Sequence, residues 1–296
     1  MVAGDRTQDL FFAWGQAGAT LSVSLTNPRA AMISPAPASP FRLVAIPRLA
    51  AGGRWRVEAM RSLSEPCFLW FTKGQGRITI AGQTRGYTAH NGIHIPAGVM
   101  YGFEVGPQVF GTAVFFGRDS GLSLPGIPLH LRIREVHAQQ ELNVTLDAIQ
   151  RELDADTLGH ERAALAHLGL LAVWIERQAA KIAADSPKPD AARKLVARFT
   201  DVMEREFRSG AGVGDMAALL GVTATHLTRC CRLTCGRSAI DLLQDRRIFE
   251  ARKMLSETKL PVNRIGTSLG FASAAYFTRA FQHMTGSSPT AFRKSL

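Results

Sequence analysis

Two arginines stand out in this chain by type and spacing, because each sits in the same setting. One lies in Leu227-Thr228-Arg229 and the other in Phe277-Thr278-Arg279, and the glycines that precede them, Gly221 and Gly270, are 49 residues apart. An arginine on the outward face of a helix can take up guanine through two parallel hydrogen bonds, and a threonine beside it can meet bases or phosphates. Other reactive residue types do not gather. His90 and His94 are four apart, but in a strand or turn that spacing does not bring their rings together. A catalytic metal needs about three such ligands, so no metal, no cofactor and no catalytic residues are expected.

The elements that must position these arginines can be read locally. In Leu269-Gly270-Phe271 a helix ends, with Gly270 able to take the left-handed conformation there. Ser273 can cap the next helix. Phe277 and Phe281 share its inner face, leaving Arg279 and Gln282 elsewhere, and Gly286 and Pro289 stop it. The stretch upstream has the same grammar. Met216, Ala217, Leu219 and Leu220 lead to Gly221, Thr223 can cap a second helix, and Leu227 and Cys231 point inward while Arg229 and Arg232 point outward. Between the two units Leu242, Ile248, Ala251 and Leu255 recur at helical spacing. Two helix-turn-helix units on one linker helix, each with a polar, basic face, can address a major groove.

These residues resemble the AraC/XylS family of transcriptional regulators. The resemblance rests on Val262, Ile265, Leu269-Gly270-Phe271, Tyr276-Phe277, Arg279, Phe281, Thr285-Gly286, Ser288-Pro289 and Phe292-Arg293, and covers about 106 residues. The first unit departs from the pattern. Cys231 stands where the family has a core Phe and Cys235 where a polar residue is common, which implies a repacked core. The resemblance implies Thr225, Thr228 and Arg229 as base readers on the first helix, and Ala274, Ala275, Thr278 and Arg279 on the second. Arg246, Arg247, Arg264 and Arg293 are expected on phosphates, which fix register without reading sequence. The competing reading for Arg246 and Arg247 is pairing inside the protein, with Asp241 or Glu250. A rigid linker helix would set the recognition helices about one DNA turn, roughly 34 Å, apart.

Charge and composition agree with a soluble DNA binder. The chain carries a formal +11, and residues 191–296 hold 17 Lys/Arg against 8 Asp/Glu, a +9 that leaves +2 for the rest. An excess gathered in one region suits phosphate binding. No run of 18 apolar residues occurs and no secretion signal is evident, so a cytoplasmic protein without a membrane span is expected. Cys230, Cys231 and Cys235 crowd one helix and Cys67 is distant, so disulfides and zinc are not indicated. They read as buried small hydrophobes; the alternative is a thiol sensor, since basic neighbours lower a cysteine pKa.

The first 190 residues read differently. Residues 1–40, with Asn27-Pro28 and Pro35-Ala-Pro-Ala-Ser-Pro40, favour an extended arm. From 41 to 125 short strands alternate with glycine turns. They include the apolar run Pro66–Thr72, then Arg77–Ala81, Gly92–Pro96, Ala97–Tyr101 and Gln108–Phe116, and they suggest a small antiparallel barrel. This part resembles a cupin-like sensor domain. Pro96-Ala-Gly98-Val-Met-Tyr101 is similar to the second cupin motif, with Tyr101 where a metal-binding His normally stands, and the first motif's His-x-His is missing near residues 55–65. The barrel is therefore expected to be a metal-free cup. Trp70, Arg77, His94, Tyr101 and Phe103 are candidates to line it around a small molecule. The competing reading for each is ordinary packing, since a Trp or Phe in a strand is core filler more often than a ligand platform, and Arg77, alternating with Ile78 and Ile80, could face water.

Residues 126–184 read as a helical connector. Leu142, Leu146, Ile149 and Leu153 recur at helical spacing, then Leu165, Leu168, Ala172, Ile175, Ala179 and Ile182 follow the seam of a helix pair. The stripe suits packing on the barrel and, as in the family, contacts in a homodimer. Residues 185–190 form a linker and 191–296 the DNA-binding domain.

The fold class expected is therefore α+β and multidomain: a cupin-like antiparallel β-barrel, a helical connector, and an all-α domain with two tandem helix-turn-helix units. The function expected is a DNA-binding transcription regulator, controlled by an unknown small-molecule effector in the cup and touching RNA polymerase if it activates. The alternatives are a constitutive DNA binder whose barrel only dimerises, and a cupin enzyme with a DNA-binding appendage, which the missing metal ligands disfavour.

Overall fold

The computed structural model describes residues 41–183 and 190–295, without the side chains of 182 and 183. The expected arm, and the linker apart from Asp190, lie outside the described residues. Strand β1 (Arg42–Ala45) is followed by two short helices, α1 (Ile46–Leu49) and α2 (Trp55–Glu58), which form a strap leading to β2 (Cys67–Lys73). Then come β3 (Gly76–Ile80), β4 (Gln83–Tyr87), β5 (Asn91–Ile95), β6 (Tyr101–Phe103), β7 (Phe110–Phe115) and β8 (Leu129–Arg132). Helices α3 (Val136–Asp154) and α4 (His160–Ala183) close this half.

The strands form two antiparallel sheets, ordered β1-β7-β2-β5-β8 and β4-β3-β6. The closed barrel expected from the sequence is therefore corrected to two sheets with a seam between β4 and β8. Pro125 and Pro128 run into β8 and lack the N–H groups that would carry a ladder across this gap. A second difference is β8 itself, a strand inside the stretch read as helical, paired with β5 from Asn91↔Arg132 to His94↔Leu129.

The apolar run in β2 is explained by burial on both faces. Leu69 and Phe71 face the other sheet, in a core with Ile78, Ile93, Tyr101 and Phe103. Phe68 and Trp70 face the opposite way, into a core with Leu142, Leu146 and Ile149 of α3 and Leu168, Leu171 and Ile175 of α4. The helices thus pack on the sheet, while Leu170 and Val173 of α4 and Val144 of α3 stay exposed.

The C-terminal half is helical: α5 (Ala191–Glu206), α6 (Val213–Leu219), α7 (Ala224–Cys235), α8 (Ala239–Glu257), α9 (Val262–Ser268), α10 (Ala274–Thr285) and α11 (Pro289–Lys294). Asp190 caps α5 by accepting from the Arg193 N–H. Its core joins Phe199 and Met203 of α5 to Met216, Leu227, Leu242, Ile265, Phe277 and Phe281.

The described residues form one compact unit, and the strap joins its halves. Met60 and Met100 belong to the helical core. The Met60 N–H donates to Asp245 Oδ2 at 2.9 Å, and Arg237 holds the same oxygen at 2.9 Å. Trp55 lies edge-on to Phe249 and Phe292, with centroids 5.8 and 6.0 Å away. The β3–β4 turn rests on α5, where Gly82 leaves no room for a side chain against Val196.

Candidate nucleic-acid interface and effector cavity

The two arginines are presented by matched local structures. Between α6 and α7, Gly221 has φ +72°, and between α9 and α10, Gly270 has φ +75°. Each is the left-handed residue that lets a short helix stop and a second begin across it. The hydroxyls of Thr223 and Ser273 accept the backbone N–H of His226 and Tyr276, capping α7 and α10. Buried Leu227, Cys230 and Cys231 seat α7; Phe277 and Phe281 seat α10. Periodicity then fixes the outer faces. Thr225, Arg229 and Arg232 are exposed on α7 and Thr228 half-buried; Ala274, Ala275 and Arg279 are exposed on α10 and Thr278 half-buried. Arg229 Nη2 lies 3.1 Å from His226 Nδ1, one turn back on its own helix. Neither Arg229 nor Arg279 meets a carboxylate among the described residues.

The cysteines behave as packing groups. Burial pushes the Cys231 thiol up to about 12 and raises Cys235 and Cys67 as well. A thiol so raised is not thiolate at neutral pH, which removes the basis for a sensor at these three.

The four arginines expected on phosphates divide. Arg264 is exposed. Arg293 is half-buried, its Nε 3.4 Å from the Leu255 carbonyl. Arg246 and Arg247 are corrected: only 4% and 5% exposed, they face the protein. Arg246 donates to both oxygens of Glu204 at 2.7 and 2.8 Å and to Glu250 at 2.9 Å. Burial alone would lower its pKa, but the two carboxylates outweigh that and hold it above the ordinary value. Arg247 donates to the carbonyls of Phe207 and Ala211 at 2.7 and 3.0 Å, and burial lowers its pKa. Pairing with Glu250 was the competing reading for this stretch; Asp241 instead caps α8 with Ser238.

The five residues expected to line an effector cup do not meet around one cavity. Trp70 points toward the helices, its Nε1 donating to Asn143 Oδ1 at 2.9 Å. His94 is fully buried on β5, with Nε2 2.8 Å from the Pro125 carbonyl, and burial lowers its pKa. Tyr101 and Phe103 fill the core between the sheets, Tyr101 beneath the Arg61 guanidinium at 4.3 Å. Arg77 is exposed and pairs with Glu104 at 2.8 Å.

A cavity of about 370 Å³ opens instead at the seam between the sheets, lined by Ile78, Ile80, Arg85, Ile127, His130 and Ala197, among others. The register Ile78↔Arg85 and Ile80↔Gln83 turns these side chains to one face. Its wall is mostly apolar. His130 Nε2 lies 2.8 Å from Asn91 Oδ1. Burial, then Arg85 and Arg132, push the His130 pKa down to about 4, so the ring is neutral at pH 7. Arg85 is exposed at the mouth with no carboxylate partner among the described residues, and Ala197 brings α5 of the helical half into the wall. Alternation along β4 was the signal that could have found Gln83 and Arg85; His130 sat in a strand read as helix.

Comparison with known proteins supports the helical half alone. A family described as a helix-turn-helix domain matches residues 216–295. Among curated relatives, the arabinose operon regulatory protein of Escherichia coli is 32% identical over 81 residues, 27% of this chain and 28% of that protein. HTH-type transcriptional regulator GlxA of Rhizobium meliloti is 33% identical over 79 residues, 27% of this chain and 24% of that one. The chain thus spans less than a third of the length of these relatives. Among solved structures, the C-terminal domain of AraT from Geobacillus stearothermophilus is 26% identical, with a TM-score of 0.33, covering 38% of this chain and 89% of that one. ToxT of Vibrio cholerae with bound unsaturated fatty acid is 12% identical, with a TM-score of 0.41, covering 86% and 95%.

Proposed function

We propose, from the premise that its C-terminal domain is a helix-turn-helix domain of the AraC/XylS family, that this protein is a sequence-specific DNA-binding transcription regulator. The observation that carries this reading is the pair of capped helices α7 and α10. Each turns Thr and Arg outward from a domain whose formal charge is +9. On DNA, Thr225, Thr228 and Arg229 read one half-site and Ala274, Ala275, Thr278 and Arg279 the other. Arg264 and Arg293 serve the phosphates.

The N-terminal half is the sensor, reaching to Arg132 because β8 belongs to its sheet. The seam cavity holds the effector, a small molecule with an apolar body and one anionic group at Arg85. A molecule seated there touches Ala197 of α5 and so bears on the DNA-binding half. The exposed Leu170 and Val173 of α4 face a second copy in a homodimer, and an activating complex would also engage RNA polymerase.

The test is protection of promoter DNA flanking its own gene over a range of salt. Wild type is expected to protect a discrete site. The Arg229→Ala, Arg279→Ala double variant is expected to lose about 2–6 kcal/mol of discrimination, from about 1–3 per arginine, and keep salt-sensitive, sequence-blind binding. A double variant that protects the same site with the same preference would refute the assignment.

A further inference from the structure

The turn of the second helix-turn-helix unit rests on the segment that leads from α5 into the first. A Cβ on Gly270, in the turn of the second unit, would lie 2.5 Å from the Gly210 nitrogen, 2.7 Å from its Cα and 3.0 Å from the Arg208 carbonyl oxygen. Gly210 sits in the segment that leads from α5 into α6, the first helix of the first unit. Backbone therefore lies on backbone between that segment and the second unit, with no side chain to yield.

Arg247 fastens the same place. Its fork bonds the carbonyls of Phe207, at the end of α5, and of Ala211, just before α6, on either side of Gly210. The guanidinium also lies 5.7 Å from the centroid of Phe271, next to Gly270. Phe271 in turn packs on Phe277 at 5.0 Å and Tyr276 at 5.9 Å, both on α10. The Tyr276 hydroxyl accepts from Gln244 Nε2 of α8 at 3.1 Å. A planar fork that meets two carbonyls and a ring together is not replaced by lysine.

We infer that Arg247 and the Gly210–Gly270 contact lock α7 and α10 into one rigid reading unit, so that the protein selects DNA by the spacing of two half-sites as well as by their sequence. The inference rests on the proposed DNA-binding function. One added base pair turns the second half-site by about 35° and moves it by about 3.4 Å. A hinged pair of units absorbs that change; a locked pair does not. Arg247 is here a positioning residue, which touches no base.

The experiment measures affinity of the full chain for its protected site, for the same site with one, two or three base pairs inserted between the halves, and for each half alone. Wild type is expected to lose roughly tenfold or more on insertion. Arg247→Met, shown folded by circular dichroism, is expected to lose affinity for the native spacing, keep it for the half-sites, and show an insertion penalty below about threefold. Phe271→Leu removes the ring beside the guanidinium but leaves the carbonyl bonds, and carries the test with a smaller flattening if Arg247→Met does not fold. An unchanged insertion penalty in a folded variant overturns the lock, as does an equal loss on half-sites and full site. If wild type binds a discrete site but is indifferent to spacing, the lock alone fails. If it binds no discrete site, the proposed function fails and takes the lock with it.

Discussion

Replacing Arg246 with methionine separates a phosphate contact from a structural one. The Arg246 side chain is 5% exposed, with Glu204 at 2.7 Å and Glu250 at 2.9 Å. Its guanidinium also lies 4.0 Å from the Phe207 ring centroid. Removing one member of a buried pair costs about 3–5 kcal/mol, because the remaining charge stays desolvated. Here the loss falls at the lower end. Glu250 keeps Arg208 at 2.7 Å, and Glu204, 19% exposed, can turn to water. About 3 kcal/mol at about 2–4 °C per kcal/mol lowers the melting temperature by about 6–12 °C. The salt dependence of DNA binding is expected to stay as in wild type, whereas removing a charge that sits on a phosphate would flatten the slope by about 0.9. There is a pH signature too. Burial alone would raise the Glu250 carboxyl, but Arg246 outweighs that and holds it below its ordinary 4.5. Stability from a depressed carboxyl is present above the unfolded value and lost as pH falls through the folded one. The gap between wild type and variant therefore narrows as pH drops below about 4.5. Thermal melts across pH and a salt titration of affinity measure both. A variant that melts with wild type and loses one unit of salt slope would refute the reasoning.

Two further outcomes follow from the seam and the strap. His130, pushed from 6.5 to about 4, is neutral when folded and takes up a proton on unfolding between those values, so stability falls as pH drops from about 6.5 toward 4. His130→Gln is expected to remove on the order of 2 kcal/mol of that acid loss, and parallel pH curves for the two proteins would contradict it. Trp55→Ala vacates the contact with Phe249 and Phe292 and costs about 2–3 kcal/mol, the ring being half-buried. Amide exchange is expected to rise in residues 55–60 and in α8 together; a rise confined to the strap would mean that it does not hold the halves.

The features legible in sequence were those fixed within a few residues. Thr223 and Ser273 cap, and Gly221 and Gly270 turn, because each answers an unsatisfied group or a backbone angle beside it. β2, β3, β5 and β7 were legible for the same reason, by apolar runs, alternation and glycine turns, whereas β4 was passed over. Closure was not legible, because it depends on whether β4 meets β8, a pairing between segments some 45 residues apart, and Pro125 and Pro128 before β8 do not tell which strand they face. The cup residues failed likewise. Trp70 lies on the outer, helix-covered side of the five-stranded sheet and Tyr101 in the core between the sheets, and only the position of α3 and α4 tells the two sides apart.

The arginines show what charge counting can and cannot say. Arg246, Arg247, Arg229 and Arg279 look alike in a sequence, and the first two are buried. Yet their burial does not weaken the case for DNA. Arg246, Arg208, Arg237 and Arg193 close on Glu204, Glu250, Asp245 and Asp190. The contacts with Glu204, Glu250 and Asp245 set positive charges of the domain against negative charges of the same domain, so its net excess already includes them. Glu204, Glu250 and Asp245, with Asp190 beside the domain, are engaged this way within the core or at a helix end, away from the outer faces of α7 and α10. The excess is therefore left on side chains without carboxylate partners among the described residues, and Arg229, Arg232, Arg264 and Arg279 are four of these. Internal pairing thus leaves the positive excess of the domain in place, with Arg229 and Arg232 on α7 and Arg279 on α10 among the exposed side chains that carry it.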